Sequence, residues 1–493
     1  MALSALPAEL KLSTIQYLDP ESAFRFAMTC KEYATICRSV LKAHGQQLSQ
    51  GRILDTTWGD TLLWGVLKEV LDDPSVGWYI RELNLPPTRQ VSWADEHGPI
   101  QVTPSKEDKR LFRQAAQRLQ DLYTPTTRFT GIQTRYPFEN ITVPNDMVTT
   151  IEERISQGFE DGILAILLHY LPFLHTIRIT DSGTAGLQIF VRRIADEYQK
   201  PDRSPHLPLR HLKTAAVAHW DTEMGCDPDW AVSFCDIPSV TTFAAQSMAD
   251  GSGFVTKDHY PNDQIPTSNV TELFFCNCQF DVEYGLAIIL AGINNLKKFT
   301  YSGGGCTVSD SSCYNPKMVI RELVKYAAHS LEELVMDQGD IGQDLSNETD
   351  IPTVSLRGFR KLRILNIEYK LLRPMDTSDD VSDEGSLEEG FYTVEENKSI
   401  DDAWDVRTIL PESLEEFYSY GEFDGDDGLY DEWDQVKDLF NTPSPMVPNL
   451  RLEKTCVRRQ RPGYSEDVIG TAEEPNAIWA SPLVASLFEG HGY

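Results

Sequence analysis

One strand-like apolar triplet of the form L-x-x-L-x-L recurs along most of this 493-residue chain. It is read at Ile80/Leu83/Leu85, Leu174/Ile177/Ile179, Val240/Phe243/Ala245, Val270/Leu273/Phe275, Leu296/Phe299/Tyr301, Leu331/Leu334/Met336 and Leu362/Leu365/Ile367. Weaker copies stand at Leu209/Leu212/Thr214 and Leu414/Phe417/Ser419. From Ile177 onward the middle residues are spaced 35, 31, 30, 26, 35, 31 and 52 apart. Regular recurrence at such a period marks a repeated supersecondary unit. Several triplets directly follow an amphipathic helical pattern. Residues 318–329 put Val319, Ile320, Leu323, Val324, Ala327 and Ala328 on one stripe, and 162–171 and 284–293 repeat the arrangement. A helix–strand pair of about thirty residues cannot cover its own apolar face, so stacked copies must cover one another. The expected fold class is α/β, with residues 151–455 forming an α/β solenoid.

The first 45 residues follow another pattern. Leu6, Leu10 and Ile15 make a short apolar stripe, with Pro7 at a first helical position, before the break at Asp19-Pro20. Asp19 is placed to cap a second helix that opens on Pro20 and has Ala23, Phe24 and Ala27 as its apolar side. Thr29 and Glu32 have capping-box spacing ahead of Tyr33, Ile36, Cys37, Val40 and Leu41 at helical intervals. A three-helix unit this small buries too little surface to be stable unaided, which implies that it leans on a partner.

Leu6-Pro7, Glu9-Leu10, Ile15, Tyr17-Leu18-Asp19-Pro20, Ala27 and Thr29-Cys30-Lys31 resemble the F-box, in the version common in large fungal families; the resemblance covers about a tenth of the chain. It implies that the first two helices dock a hydrophobic face on the Skp-type adaptor of a cullin–RING ubiquitin ligase. The expected adaptor-binding residues are Leu6, Pro7, Leu10, Ile15, Leu18 and Pro20. The repeating region resembles an irregular leucine-rich-repeat array. It departs from that pattern after the strand, where only Cys278 matches the expected Asn/Cys position and other copies carry Ser, Gly or Lys. Together the two resemblances imply a substrate receptor of an SCF-type ligase. Such a subunit would have Skp-type adaptor, cullin and an unidentified target protein as partners, and would do no chemistry itself. The alternative is a repeat-based interaction scaffold acting outside any ligase.

Between these parts, residues 46–150 are expected to hold a helix on Leu62, Leu63, Val66, Leu67, Val70 and Leu71, a first strand at 78–85 and a further helix near 106–122. Residues 456–493 are read as a C-terminal tail. The charge is lopsided: 44 Lys and Arg against 75 Asp and Glu give −31. Residues 376–405 carry −11 of it and 411–434 carry −10. The first of these lacks apolar periodicity and reads as a disordered insertion that either solvates the chain or steers a basic target. Such acidity, without a basic cluster, argues against nucleic-acid binding. The longest apolar runs fall short of the ~20 residues that cross a membrane, and the N-terminus lacks an export pattern. Nine cysteines without framework spacing suit a reducing, cytoplasmic or nuclear setting.

No catalytic or cofactor motif is found, so no catalytic, cofactor or metal residue is assigned. Ser302-Gly303-Gly304-Gly305 lacks the Gly-Lys-Ser/Thr of a phosphate loop and is expected to be a turn. Cys276 and Cys278 are expected on one face of a strand, without the second pair that a zinc site needs. Asp424-Gly-Asp426-Asp427-Gly428 puts a glycine where a calcium loop needs a ligand.

Overall fold

The structure, a computed structural model, describes residues 6–50, 52–56, 62–86, 103–123, 147–181, 185–219, 225–249, 267–279, 282–304, 315–337, 355–372, 405–420, 443–458 and 468–469. The chain is α/β and divides into two compact units, 1–220 with 233–241 and 221–232 with 242–493.

The first unit opens with three helices, α1 (Ala8–Ile15), α2 (Pro20–Ala27) and α3 (Lys31–Ser49). Four strands follow: β1 (Arg52–Asp55), β2 (Ile80–Leu85), β3 (Thr176–Asp181) and β4 (Thr214–His219), each parallel to the next. Parallel neighbours require crossover connections. Here α4 (Leu63–Asp72) lies between β1 and β2. Helices α5 (Lys106–Gln117), α6 (Met147–Gln157) and α7 (Asp161–His169) lie between β2 and β3, and α8 (Ala185–Tyr198) between β3 and β4. The register stacks like on like. Leu54, Leu83, Ile177 and Ala215 stand level across the sheet, as do Leu85, Ile179 and Val217, and all are buried.

Helix α7 is apolar on every side (Ile163, Leu164, Ala165, Ile166, Leu167, Leu168), and a helix of that composition has to be enclosed. It packs against α4, α5, α6 and α8. Its one buried carboxylate, Asp161, is met by Arg154 of α6 through Nε at 2.9 Å and the terminal nitrogen at 2.7 Å. The Gly162 N–H donates to the same carboxylate at 2.8 Å, and the Arg154 guanidinium lies 3.7 Å from the Phe159 ring centroid. A Cβ at Gly186 would fall 1.9 Å from Asp161 Oδ2, so the first turn of α8 can approach only as glycine.

The second unit holds β5 (Thr242–Gln246), β6 (Glu272–Cys278), β7 (Lys298–Gly303), β8 (Glu333–Asp337), β9 (Ile364–Glu368), β10 (Glu416–Tyr420) and β11 (Thr455–Arg458), all parallel in chain order. A final strand, β12 (Val468–Ile469), pairs antiparallel with β11. Phe243, Leu273, Phe299, Leu334, Leu365 and Phe417 form one buried row, and Ala245, Phe275, Tyr301, Met336, Ile367 and Ser419 the next. Phe275 contacts Phe243, Phe299 and Tyr301 at ring separations of 6.0–6.3 Å, within the range that favours tilted aromatic pairs.

Several expectations are corrected. The sheet starts one strand earlier than 78–85, because β1 pairs with β2 and buries Leu54. The copy read at Leu209/Leu212/Thr214 is shifted by three residues: Ala215 and Val217 occupy the β4 core positions, and Leu209 adopts a φ of 63°. The helix ahead of β7 is a π-turn (Val282–Leu286) running into the five-residue α9 (Ala287–Ala291), whereas α10 (Pro316–Ala327) ahead of β8 is a regular helix. Among the described residues, β9, β10 and β11 are preceded by single 3-10 turns instead of helices. Cys276 and Cys278 do not share one strand face as expected of residues two apart. The register slips between Phe275 and Cys278, Asn277 has a φ of 51°, Cys278 is buried and Cys276 is half-buried. Ser302 and Gly303 belong to β7, and the Ser302 hydroxyl accepts from the Asn277 N–H at 2.8 Å. The boundary at 455/456 falls inside β11. Residues 376–404 and 424–428 lie outside the described residues.

The buried ion pair yields a stability prediction. Arg154→Leu strands the Asp161 carboxylate and is expected to lower unfolding free energy by about 3–5 kcal/mol. Adding Asp161→Leu should recover most of that loss, because a matched apolar pair replaces the charges. Denaturant unfolding of the two variants measures both.

Candidate functional site

The three N-terminal helices are held by local chemistry. Asp19 Oδ1 accepts from the backbone N–H groups of Glu21 and Ser22, both at 3.0 Å, and Oδ2 accepts from the Ser22 hydroxyl at 2.7 Å. With Pro20 in the first position this fixes the start of α2 as expected. Burial pushes the Asp19 carboxyl pKa up, but the hydrogen bonds from Ser22 and Glu21, with Arg210 nearby, hold it below the ordinary aspartate value. The capping box at Thr29 and Glu32 does not form. Cys30 precedes α3, the Thr29 hydroxyl donates to the Phe26 carbonyl at 2.7 Å, and the Glu32 carboxylate is taken by the buried Lys11 amine at 2.6 Å. Pro7 lies just ahead of α1 instead of inside it.

Ile15, Ala27, Cys37 and Val40 form the core of this unit, with Leu12, Leu18, Phe26, Ile36 and Leu41 packed on it. Contacts from His44 and Glu21 help join it to the rest of the first unit. His44 Nδ1 shares a 2.7 Å hydrogen bond with the Tyr79 hydroxyl, and Glu21 of α2 lies 3.7 Å from Arg210 and 3.4 Å from His211. Burial lowers the His44 pKa against the opposing pull of the Leu18 carbonyl and Asp19.

The six expected docking residues separate into two groups. Pro7 is exposed and Leu10 is 54% exposed, while Leu6 and Leu18 are half-buried. Ile15 (0% exposed) and Pro20 turn inward. They stand behind the surface instead of on it, because the core of so small a unit needs Ile15. Three large side chains that are not among the expected docking residues are exposed: Tyr17 (82%), Phe24 (57%), expected to face inward with Ala23 and Ala27, and Met28 (72%). The signal was available in α2, which carries two apolar stripes. Ala23 and Ala27 face the core, whereas Phe24 and Met28, four residues apart, face solvent. Leu10, Tyr17, Phe24 and Met28 are thus four large apolar side chains left outside on 45 residues. Among the described residues no group of His, Cys, Asp or Glu is placed to hold a metal ion, and no helix is long and apolar enough to cross a membrane.

The Asp19 cap makes a prediction of its own. Asp19→Ala should cost about 1 kcal/mol at neutral pH. Because the folded-state pKa lies below the unfolded one, the contribution is complete above the unfolded value and disappears as the pH falls through the folded value. Thermal melts of wild type and variant should therefore converge in acid.

A search of curated proteins finds no match to the chain. Residues 3–44, the stretch that holds α1, α2 and most of α3, match the F-box domain family. F-box domains in general bind Skp-type adaptors in SCF ubiquitin ligases, and the three N-terminal helices described above are such a domain.

Proposed function

We propose that this chain is the substrate-recognition subunit of an SCF-type cullin–RING ubiquitin ligase. The observation that carries the reading is the exposure of Leu10, Tyr17, Phe24 and Met28 on a helical unit whose sequence matches the F-box. Docking these side chains, with Pro7 and the edges of Leu6 and Leu18, would bury apolar surface now in contact with water. Ile15 and Pro20 would set the backbone that presents them. The α/β units are read as an irregular leucine-rich-repeat-like solenoid, in support of which each strand pairs with its sequence neighbour and the buried rows repeat the triplet. In this role the protein is not an enzyme. Cullin is engaged through the adaptor, the target is a protein, and neither nucleic acid nor membrane is a partner. Work is done by proximity: holding a target beside a ubiquitin-loaded enzyme raises the effective concentration of its lysines. The setting is cytoplasmic or nuclear.

Leu10→Asp and Tyr17→Ala are each expected to weaken adaptor capture by more than ~1 kcal/mol, as truncation of the minority of interface residues that carry binding does. Both side chains are exposed, so thermal stability should stay close to wild type. Titration calorimetry with purified adaptor measures the first, and a thermal melt the second. Full adaptor affinity in both folded variants would overturn the docking surface. Affinity purification without adaptor or cullin peptides would favour a scaffold acting outside a ligase.

A further inference from the structure

The position that follows the first apolar residue of each triplet is joined to its counterpart in the next copy by a backbone hydrogen bond. In the second unit this line reads Thr271 and then the charged run Lys297, Glu332, Arg363, Glu415, Arg451, linked N–H to carbonyl at 2.8–3.0 Å. The charges alternate, and the side chains pair: Lys297–Glu332 at 3.9 Å, Arg363–Glu415 at 2.7 Å and Arg451–Glu415 at 3.1 Å. The corresponding line in the first unit reads Arg81, His175, Lys213, with the His175 N–H donating to Arg81 and the Lys213 N–H to His175, both at 2.8 Å. These three members are all basic, and Thr241 follows them. Among the described residues no carboxylate forms an ion pair with any of the three.

Two more basic residues extend the line. Phe173 is the common support: Arg81 lies 5.0 Å and Arg210 5.9 Å from its ring centroid, and the His211 ring lies 5.4 Å away. Arg81 also donates to the Phe173 carbonyl at 2.8 Å. Glu21, with Asp19 near Arg210, is the acidic counterweight, reaching Arg210 and His211 but not the line itself. His175 and His211 show the consequence. Burial lowers both pKa values, and the neighbouring cations push them down further: Arg81, His211 and Lys213 act on His175, and Arg210, Arg81 and Lys213 on His211, which Glu21 opposes.

Like charges on adjacent strands destabilise a sheet. The fold does not ask for them here, since Thr241 serves as the next member of the same line and its N–H donates to Lys213 at 2.9 Å. His175, Arg210 and Lys213 are exposed, so the concentration of positive charge faces outward, in a chain of net charge −31. We infer that Arg81, His175 and Lys213, with Arg210 and His211 beside them, form a docking surface for an acidic segment of a protein partner. Neighbouring strands are about 4.8 Å apart, so the line extends about 10 Å. One small anion cannot span that length, whereas an extended acidic peptide can. The surface is separate from the apolar side chains of α1 and α2 and does not require them.

The test is fluorescence anisotropy on the full-length chain, using a short labelled peptide with alternating glutamates, its glutamine counterpart and its phosphoserine counterpart, with inorganic phosphate as competitor. The glutamate or phosphoserine peptide should bind and the glutamine peptide should not. Affinity should fall steeply with salt, and should rise as the pH is lowered through the histidine range, since a bound anion favours protonated His175 and His211. Lys213→Glu should weaken binding at least about tenfold, as for removal of a steering charge at a complementary interface, without lowering the melting temperature, because it relieves repulsion. Adaptor capture by that variant should be unchanged, which keeps this result distinct from the ligase reading. Equal binding of glutamate and glutamine peptides, or undiminished binding by folded Lys213→Glu and His175→Gln variants, overturns the inference. So does inorganic phosphate binding as tightly as the peptides, which would reduce the surface to a small-anion site.

Discussion

The zero-stagger pairing of parallel strands is the constraint on which both units depend. Leu83, Ile177 and Ala215 stand at one level in the first unit, as do Leu273, Phe299, Leu334 and Leu365 in the second. A slip by one residue would turn each of these inward side chains to the opposite face, so the buried rows lock the register. The backbone pairs with the neighbouring strand whatever the intervening side chains are. Positions between the apolar residues are therefore free to differ from copy to copy. That freedom lets one line alternate in charge from Lys297 to Arg451 in the second unit while its equivalent in the first unit carries three basic residues in succession, Arg81, His175 and Lys213.

The strands were legible wherever the inward residues are large. Leu334 and Met336, or Leu365 and Ile367, leave a pattern that period and spacing reveal together. Ala215 and Val217 do not, and the bulkier Leu209 and Leu212 drew the reading three residues too early. β1 was invisible because four residues cannot display a period. The helices read from the sequence stop at 318–329, and among the described residues the strands beyond are preceded by 3-10 turns such as Leu356–Gly358. In the N-terminal helices Asp19-Pro20 was readable because a cap is a local device. Glu32 was misread because its partner, Lys11, lies 21 residues away. Phe24 was misassigned because a short helix with two apolar stripes does not announce which one faces inward. The basic line was illegible for a different reason. Arg81, His175 and Lys213 are far apart in sequence, and only the register makes them neighbours.

Burial has opposite consequences at two charged sites of the first unit. Arg154 and Asp161 are enclosed together, with the carboxylate also accepting from Gly162, so low polarity strengthens their attraction and each satisfies the other. Arg81 and His211 are half-buried beside other cations, and there the same loss of water sharpens repulsion. The first arrangement fixes α6, α7 and α8 around Gly186. The second stores unfavourable charge at a surface, where an incoming anion would release it.

The position of Glu21 links the two surfaces of the first unit. It lies on α2, three residues before Phe24, and reaches back to Arg210 and His211. With the His44–Tyr79 hydrogen bond it forms part of the attachment of the three helices to the sheet unit. An acidic segment seated along Arg81, His175 and Lys213 would meet Arg210 and His211 next, and would compete there with the Glu21 carboxylate. Glu21 also pairs with Arg25 one turn along α2, so it has an alternative partner when displaced. The His44–Tyr79 hydrogen bond and the His44–Trp78 ring contact would then remain as part of the attachment. A protein that works by tethering gains from a stiff connection between its two binding surfaces, because effective concentration falls as the connection loosens. An acidic segment seated on the basic line would therefore bear on the attachment of α1 and α2 through the Glu21 carboxylate.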